Sequence, residues 1–218
     1  MIGITGSNGK TVIKEWLHDL LSGHFAIVRS PRSYNSQIGV PLSVWLMQPE
    51  NNLGFFEAGI SRPGEMERLE EIIQPGIGIF TNIGDAHQEN FTSLQHKRDE
   101  KLKLFTRCKT LIFSADQPEV VTAADLFCQL HGIRPFRWSC HGNPAQIQYV
   151  TDSGTAGPQL VMLTDSGSLT FELPLSDPSS LENICHCLAL IAVLGLNPID
   201  FTEKVKCLEP LSMRLELK

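Results

Sequence analysis

Near the start of the chain, Gly3-Ile4-Thr5-Gly6-Ser7-Asn8-Gly9-Lys10-Thr11 gathers the groups that bind phosphate. Glycines at every third position let backbone N–H groups approach phosphate oxygens closely. A short apolar run enters this loop as a strand, and Ile13, Trp16, Leu17, Leu20 and Leu21 follow it at helical spacing. A helix starting there presents unpaired donors and partial positive charge to an anion. Lys10 is placed to reach β- and γ-phosphates, and the Thr11 hydroxyl to ligate Mg²⁺. The spacing departs from the common G-x-x-x-x-G-K-[ST] loop, because Ile4 stands where that pattern wants glycine. Taken alone, the loop also reads as an ordinary glycine-rich strand-to-helix turn.

Further candidates lie downstream. Leu53-Gly54-Phe55-Phe56-Glu57 is an apolar strand ending in a carboxylate, where an acid beside a phosphate loop would hold Mg²⁺. The alternative is a Glu at the edge of the core paired with a nearby lysine. From Arg29 to Gln37 the chain is polar, and Arg29, Arg32, Asn35 and Ser36 offer either a contact surface for an anionic substrate or a solvated loop. His87 falls in a polar loop after an apolar strand, a place suited to a ligand contact, though taken alone it reads first as a plain loop histidine. The segment Ser93 to Phe105 carries Lys97, Arg98, Lys101 and Lys103, which composition reads as a charged solvent face. Cys185-His186-Cys187 sits in a helical apolar pattern, where residues two apart do not share a face, so its spacing argues against zinc.

The elements that must position these groups alternate strand and helix. Strands are expected at 25–28, 53–57, 77–82 and 111–113, with helices from Pro41 through Leu46, over Met66–Ile73 with its glutamates on a solvated face, over 93–105, over 119–130 and over 178–194. Fully apolar strands predict a buried, mostly parallel sheet. From about Phe136 to 175 the pattern turns to alternating segments with Asp-Ser-Gly turns, which predicts a small antiparallel subregion at the periphery.

At 218 residues, with 42% hydrophobic and 19% charged residues, the composition is that of an ordinary globular chain able to bury a sizeable core. A formal net charge of −6 argues against broad nucleic-acid binding. No apolar run reaches the ~20 residues of a membrane span, and no signal peptide is expected. Six cysteines without C-x-x-C spacing suggest reduced thiols in a cytoplasmic protein.

The wording of these segments resembles the Mur ligase superfamily, in particular its MurF-type members. T-G-x-N-G-K-T at 5–11 is similar to that family's ATP loop. N-S-Q-I-G-V-P-L at 35–42 resembles the segment that faces the nucleotide-sugar substrate. T-N-I-G-x-A-H-x-E-x-F at 81–91, with the lysine-rich helix after it, resembles the second Mg²⁺ region. E-K-L-K-L-F at 100–105 puts Lys101 on the lysine that several members carbamylate and use as a metal ligand. The family's adenine-side motif H-N-x-x-N-x-x-A is represented at 179–183 by Asn183 alone, and Leu211–Glu216 resembles a linker in which Arg214 approaches the nucleotide.

The resemblance implies a central ATP-binding domain over residues 1–218: an α/β, P-loop-type, mostly parallel sheet flanked by helices, with the antiparallel subregion at about 136–175. An N-terminal UDP-sugar domain and a C-terminal ligase domain would lie outside this chain, leaving the fragment inactive by itself. The implied chemistry is ATP- and Mg²⁺-dependent joining of D-Ala-D-Ala to a UDP-muramoyl tripeptide through an acyl phosphate, in peptidoglycan precursor synthesis. Gly6, Ser7, Asn8, Gly9, Lys10, Thr11, Asn82, Asn183 and Arg214 would contact ATP, and Asn35 and Ser36 the nucleotide-sugar substrate. Thr11 and Glu57 would hold one Mg²⁺, and His87 with carbamylated Lys101 a second. Lys10, His87 and Lys101 would carry the catalysis. A folylpolyglutamate synthase-like ligase shares the loop but not the 35–42 wording. A catalytically silent nucleotide-binding module attached to an alanine racemase is a third reading, against which Lys10, Thr11, Glu57, His87 and Lys101 stand together.

Overall fold

A computed structural model describes residues 1–84, 90–152, 157–164 and 167–210. Among the described residues nine strands form one sheet: β1 (Ile2–Thr5), β2 (Ile27–Arg29), β3 (Leu53–Glu57), β4 (Ile77–Phe80), β5 (Thr110–Ser114), β6 (Arg134–Ser139), β7 (Ile147–Asp152), β8 (Gln159–Thr164) and β9 (Gly167–Glu172). Their order across the sheet is β2-β3-β1-β4-β5-β6-β7-β8-β9. Every pairing from β2 to β7 is parallel, and only β7–β8 and β8–β9 are antiparallel. The antiparallel subregion expected at about 136–175 is therefore smaller than the sequence suggested. Phe136 lies in β6, which pairs parallel with both neighbours, and the hairpins extend the same sheet. Burial along β6 runs from exposed Arg134 through half-buried 135–137 to buried Trp138 and Ser139.

Helices cover both faces. On one side lie α1 (Lys10–Leu21), α6 (Pro178–Val193) and α7 (Thr202–Lys206), packing Ile13, Trp16, Leu17, Ile184, Leu188, Ile191 and Val205 onto Ile2, Ile4, Phe55, Ile79, Ile112, Trp138 and Tyr149. On the other, α2 (Gly39–Trp45), α3 (Glu65–Ile73), α4 (Leu94–Leu102) and α5 (Pro118–His131) pack Val40, Met66, Leu69, Leu102, Val120 and Ala124 onto Phe56, Phe80 and Phe113. Short 3₁₀ turns at Lys103–Phe105 and Pro198–Phe201 complete the described elements. Burying strands on both faces removes water from every ladder, which is why β1, β3 and β4 can be almost wholly apolar.

The order places β1 between β3 and β4, so the chain leaves the first strand toward one edge and later returns to the other. A crevice opens at the carboxyl ends of the strands where the order reverses. The loop after β1, Glu57 at the end of β3 and Thr81–Gly84 after β4 all meet there.

Two expectations about solvated helix faces fail. Glu70 on α3 is buried, beside Arg107 at 3.5 Å, and Lys97 on α4 is 1% exposed. The charged surface of α4 is turned partly inward, toward the crevice.

Candidate active site

Residues 6–9 form a turn that only glycine permits at two points. Gly6 has φ +148°, and a Cβ there would lie 1.9 Å from the Thr81 hydroxyl oxygen; Gly9 has φ +83°, and its Cβ would lie 2.3 Å from Asn183 Oδ1. The loop is braced from β4's end: Ser7 N donates to Asn82 O (2.9 Å), Asn8 N to Asn82 Oδ1 (3.0 Å), and the Thr81 hydroxyl to Asn8 O (2.6 Å). Asn82 thus shapes the loop with its acceptors. No side chain caps the N-terminus of α1 and its first turn holds no acid, so the donors of a twelve-residue helix face the crevice.

Lys10 folds back onto the loop, donating to Gly6 O (2.9 Å) and Ser7 O (3.1 Å). Lys101 reaches the same Gly6 carbonyl at 3.0 Å from α4, one turn beyond Lys97, whose Nζ donates to Gly84 O at 2.5 Å. Lys97 and Lys101 share a helix face because they are four residues apart. Burial, then the charges of Lys10 and Lys97, lower the Lys101 pKa to about 7. Lys10 is lowered too, by burial and by Lys97, against the pull of Glu57. A pocket of about 190 Å³ opens here, lined by Ser7, Lys10 and Lys101 on one side and by Asn35, Ser36, Gly59 and Ser61 on the other.

Thr11 and Glu57 also meet: the threonine hydroxyl donates to Glu57 Oε2 at 3.0 Å. The other carboxylate oxygen, Oε1, is 2.7 Å from Lys14 Nζ, and both side chains are 0% exposed. Glu57 is thus paired with a lysine and also accepts from the Thr11 hydroxyl. Hard oxygen donors side by side at the phosphate loop fit Mg²⁺, which takes one or two carboxylates and completes its shell with phosphate and water. Lys101 as an unmodified lysine does not fit a second metal, since an amine flanked by two cations is no hard-cation ligand. His87 and Arg214 lie outside the described residues.

A second pocket of about 270 Å³ lies on the other side of the loop, lined by Asn8, Gly9, Asn82, Ile83, Gln117, Ser179, Glu182 and Asn183. Burial and the nearby Asp116 raise the Glu182 pKa. One turn further along α6, His186 bridges the two layers. Trp138 Nε1 donates to its Nδ1 (3.2 Å), so Nε2 carries the proton and donates to Thr81 O (3.2 Å). The histidine is a neutral brace beneath the loop, with its pKa lowered to about 4 by burial.

Sequence reading brought together Gly6–Thr11, Asn35, Ser36, Glu57, Asn82, Lys101 and Asn183, and the fold assembles them around one loop. It missed Lys14, Lys97 and Glu182. Helical spacing could have found two of them: Lys14 is three residues after Thr11, and Lys97 four before Lys101. Arg29, considered for an anionic substrate, instead donates to Glu15 at 2.9 Å.

Strand, glycine loop, Lys-Thr and helix at the switch point of a parallel sheet define a nucleotide-binding domain of the phosphate-loop class. Within that class the chain belongs to the Mur ligase middle domain family, which matches residues 4–191. The UDP-N-acetylmuramoyl-tripeptide–D-alanyl-D-alanine ligase of Bacillus subtilis (strain 168) is 28% identical over 220 residues, covering all of this chain and 46% of that protein. MurF from Acinetobacter baumannii superposes with a TM-score of 0.86 at 21% identity, over 98% of this chain and 47% of that one. MurF ligase from Thermotoga maritima, in complex with ADP, gives 0.78 at 22% identity, over 90% and 45%. At these identities the structures speak for the fold. The chain spans about half the length of the curated relatives it matches. Among the described residues, no helix is long and apolar enough to cross a membrane.

Proposed function

We propose that this chain is the ATP-binding part of a MurF-type ligase, which joins D-Ala-D-Ala to UDP-N-acetylmuramoyl-tripeptide in the cytoplasmic stage of peptidoglycan synthesis. The observation that carries this reading is the lysine-lined pocket, where Lys10 and Lys101 converge on one carbonyl opposite Asn35 and Ser36. Two ammonium groups at an uncapped helix start suit a terminal phosphate and a substrate carboxylate. The names of the relatives, and the ADP of one, support the same assignment. They favour it over a folylpolyglutamate synthase-like ligase.

In this reading the phosphates lie over the start of α1, and Lys10 exchanges its loop carbonyls for phosphate oxygens. The nucleoside occupies the pocket of Asn8, Asn82, Glu182 and Asn183. A peptide carboxylate held near Asn35 and Ser36 attacks the γ-phosphorus; its O–P bond forms as the bond to ADP breaks, giving an acyl phosphate. The amine of D-Ala-D-Ala then attacks the acyl carbon, loses a proton and displaces phosphate. The protein's part is alignment and charge neutralisation, since phosphoryl transfer needs little covalent help. Thr11 and Glu57 would hold the Mg²⁺, which supplies further positive charge to the phosphates. Lys101, near pKa 7, is in good part an uncharged amine at neutral pH. It can add carbon dioxide with loss of a proton, which turns a cation into a carboxylate-like oxygen ligand.

The test is Lys10→Ala. Losing a charge-assisted contact weakens MgATP binding by about 1.5–3 kcal/mol, more than tenfold, with the fold intact. Unchanged affinity by calorimetric titration would refute the assignment.

A further inference from the structure

We propose that Lys14 is a positioning residue: it fixes one oxygen of Glu57 so that the other is presented beside Thr11, and it ties the Ser30–Arg32 segment into the same unit. This rests on the reading of Thr11 and Glu57 as the Mg²⁺ pair.

Lys14 stands one helical turn after Thr11, on the same face of α1. Its ammonium is wholly enclosed and meets Glu57 Oε1 at 2.7 Å, Glu15 Oε1 at 3.0 Å, Ser30 O at 2.7 Å and the carbonyl of Arg32. Two of these contacts are hydrogen bonds, to the Ser30 and Arg32 carbonyls, and two are ion pairs with the Glu15 and Glu57 carboxylates, so the ammonium is held from several sides. Among the described residues Glu57 Oε1 accepts no hydrogen bond and is drawn to Lys14 by charge, while Oε2 accepts from the Thr11 hydroxyl at 3.0 Å, so the two contacts together orient the carboxylate. Burying an ion pair this completely costs desolvation and is a poor way to gain stability, so its value lies in fixing an arrangement.

The arrangement extends beyond the carboxylate. The Ser30 hydroxyl accepts from Glu57 N at 3.3 Å, while Ser30 N donates to Phe55 O at 3.0 Å. Arg32 takes a left-handed backbone with φ +50°, unusual for a side chain with a Cβ, at the point where its carbonyl meets Lys14. Three and four residues later, Asn35 and Ser36 line the lysine pocket. One ammonium therefore joins the carboxylate on the nucleotide side to the segment that forms the opposite wall. Metal engaging Glu57 should consequently tighten residues 30–36.

The experiment compares ATP binding in Mg²⁺ and in EDTA for the wild type and Lys14→Met, which keeps the stem and removes the charge. The expected result is at least a tenfold loss in Mg²⁺ and less than a twofold change in EDTA. Equal losses in both would make Lys14 merely structural and overturn the proposal. Should Lys14→Met not fold, amide exchange on the wild type decides. MgATP should slow exchange at 30–36 at least fivefold more than ATP in EDTA, and Glu57→Gln should abolish that difference. Protection independent of Mg²⁺ would overturn the coupling. Wild-type ATP affinity indifferent to Mg²⁺ would overturn the metal reading and this role together, whereas Mg²⁺-dependent binding unchanged by Lys14→Met would overturn the role of Lys14 alone.

Discussion

Lys14 and Lys101 are both buried beside the same loop, and their surroundings are opposite. Lys14 has two carboxylates within 3.0 Å. Lys101 has a carbonyl, and the charges that act on it among the described residues are those of Lys10 and Lys97. The Thr11–Glu57–Lys14 side is charge-complete before anything binds. On the other side Lys10 and Lys101 line a pocket, and the charges of Lys10 and Lys97 lower the Lys101 pKa, so an arriving anion would be favoured there. One side holds geometry, the other offers buried ammonium groups to the pocket, and the loop between them joins the two.

The largest test of that contrast is stability. Lys14→Met strands Glu57 as a buried carboxylate without its cation, so denaturant unfolding should show a loss of about 3–5 kcal/mol. A loss below about 1 kcal/mol would mean the pair is not the closed unit described. His186 sharpens the comparison as a buried group kept neutral by satisfied hydrogen bonds. Its folded pKa of about 4 lies below the ordinary 6.5, so between those values the unfolded chain binds the extra proton. Stability contributed by the neutral ring is full above pH 6.5 and falls as pH drops toward 4, by about 3 kcal/mol. His186→Gln should flatten that stretch of the pH–stability curve; an unchanged slope would assign it to other groups.

Lys101→Met should do the reverse of Lys14→Met and stabilise the apo protein at pH 7 by about 1–2 kcal/mol, since it removes an ammonium that burial and two neighbouring cations disfavour. The sign of the pH effect follows. With a folded pKa of about 7 against 10.5, the unfolded state binds more protons between these values, so wild-type stability rises with pH across that window. The variant should lose that rise. Destabilisation by Lys101→Met would show that the amine is paired as tightly as Lys14.

Much of this was legible in the chain because it rests on local rules. The glycines, Lys10 and Thr11 are fixed by the turn from β1 to α1, and Glu57 by the end of an apolar strand. Lys97 and Glu70 were misread because a charged residue on a helix ordinarily faces water, and their burial depends on what α3 and α4 pack against. Helical spacing puts Lys14 on the Thr11 face, but only the return of β3 beside β1 brings Glu57 to it. The extent of the parallel sheet was missed for a related reason, as β6 is defined by its neighbours more than by its own alternation.

The central claim is that the loop, Glu57 and the lysine pocket form a metal-assisted nucleotide site. Calorimetric titration of ATP into wild type and Glu57→Gln, each in Mg²⁺ and in EDTA, tests it most directly. The account predicts at least tenfold tighter wild-type binding in Mg²⁺, a difference of about 1.4 kcal/mol or more that Glu57→Gln removes while leaving the EDTA affinity alone. Equal affinity in Mg²⁺ and EDTA for the wild type, or equal losses in both for the variant, would contradict it.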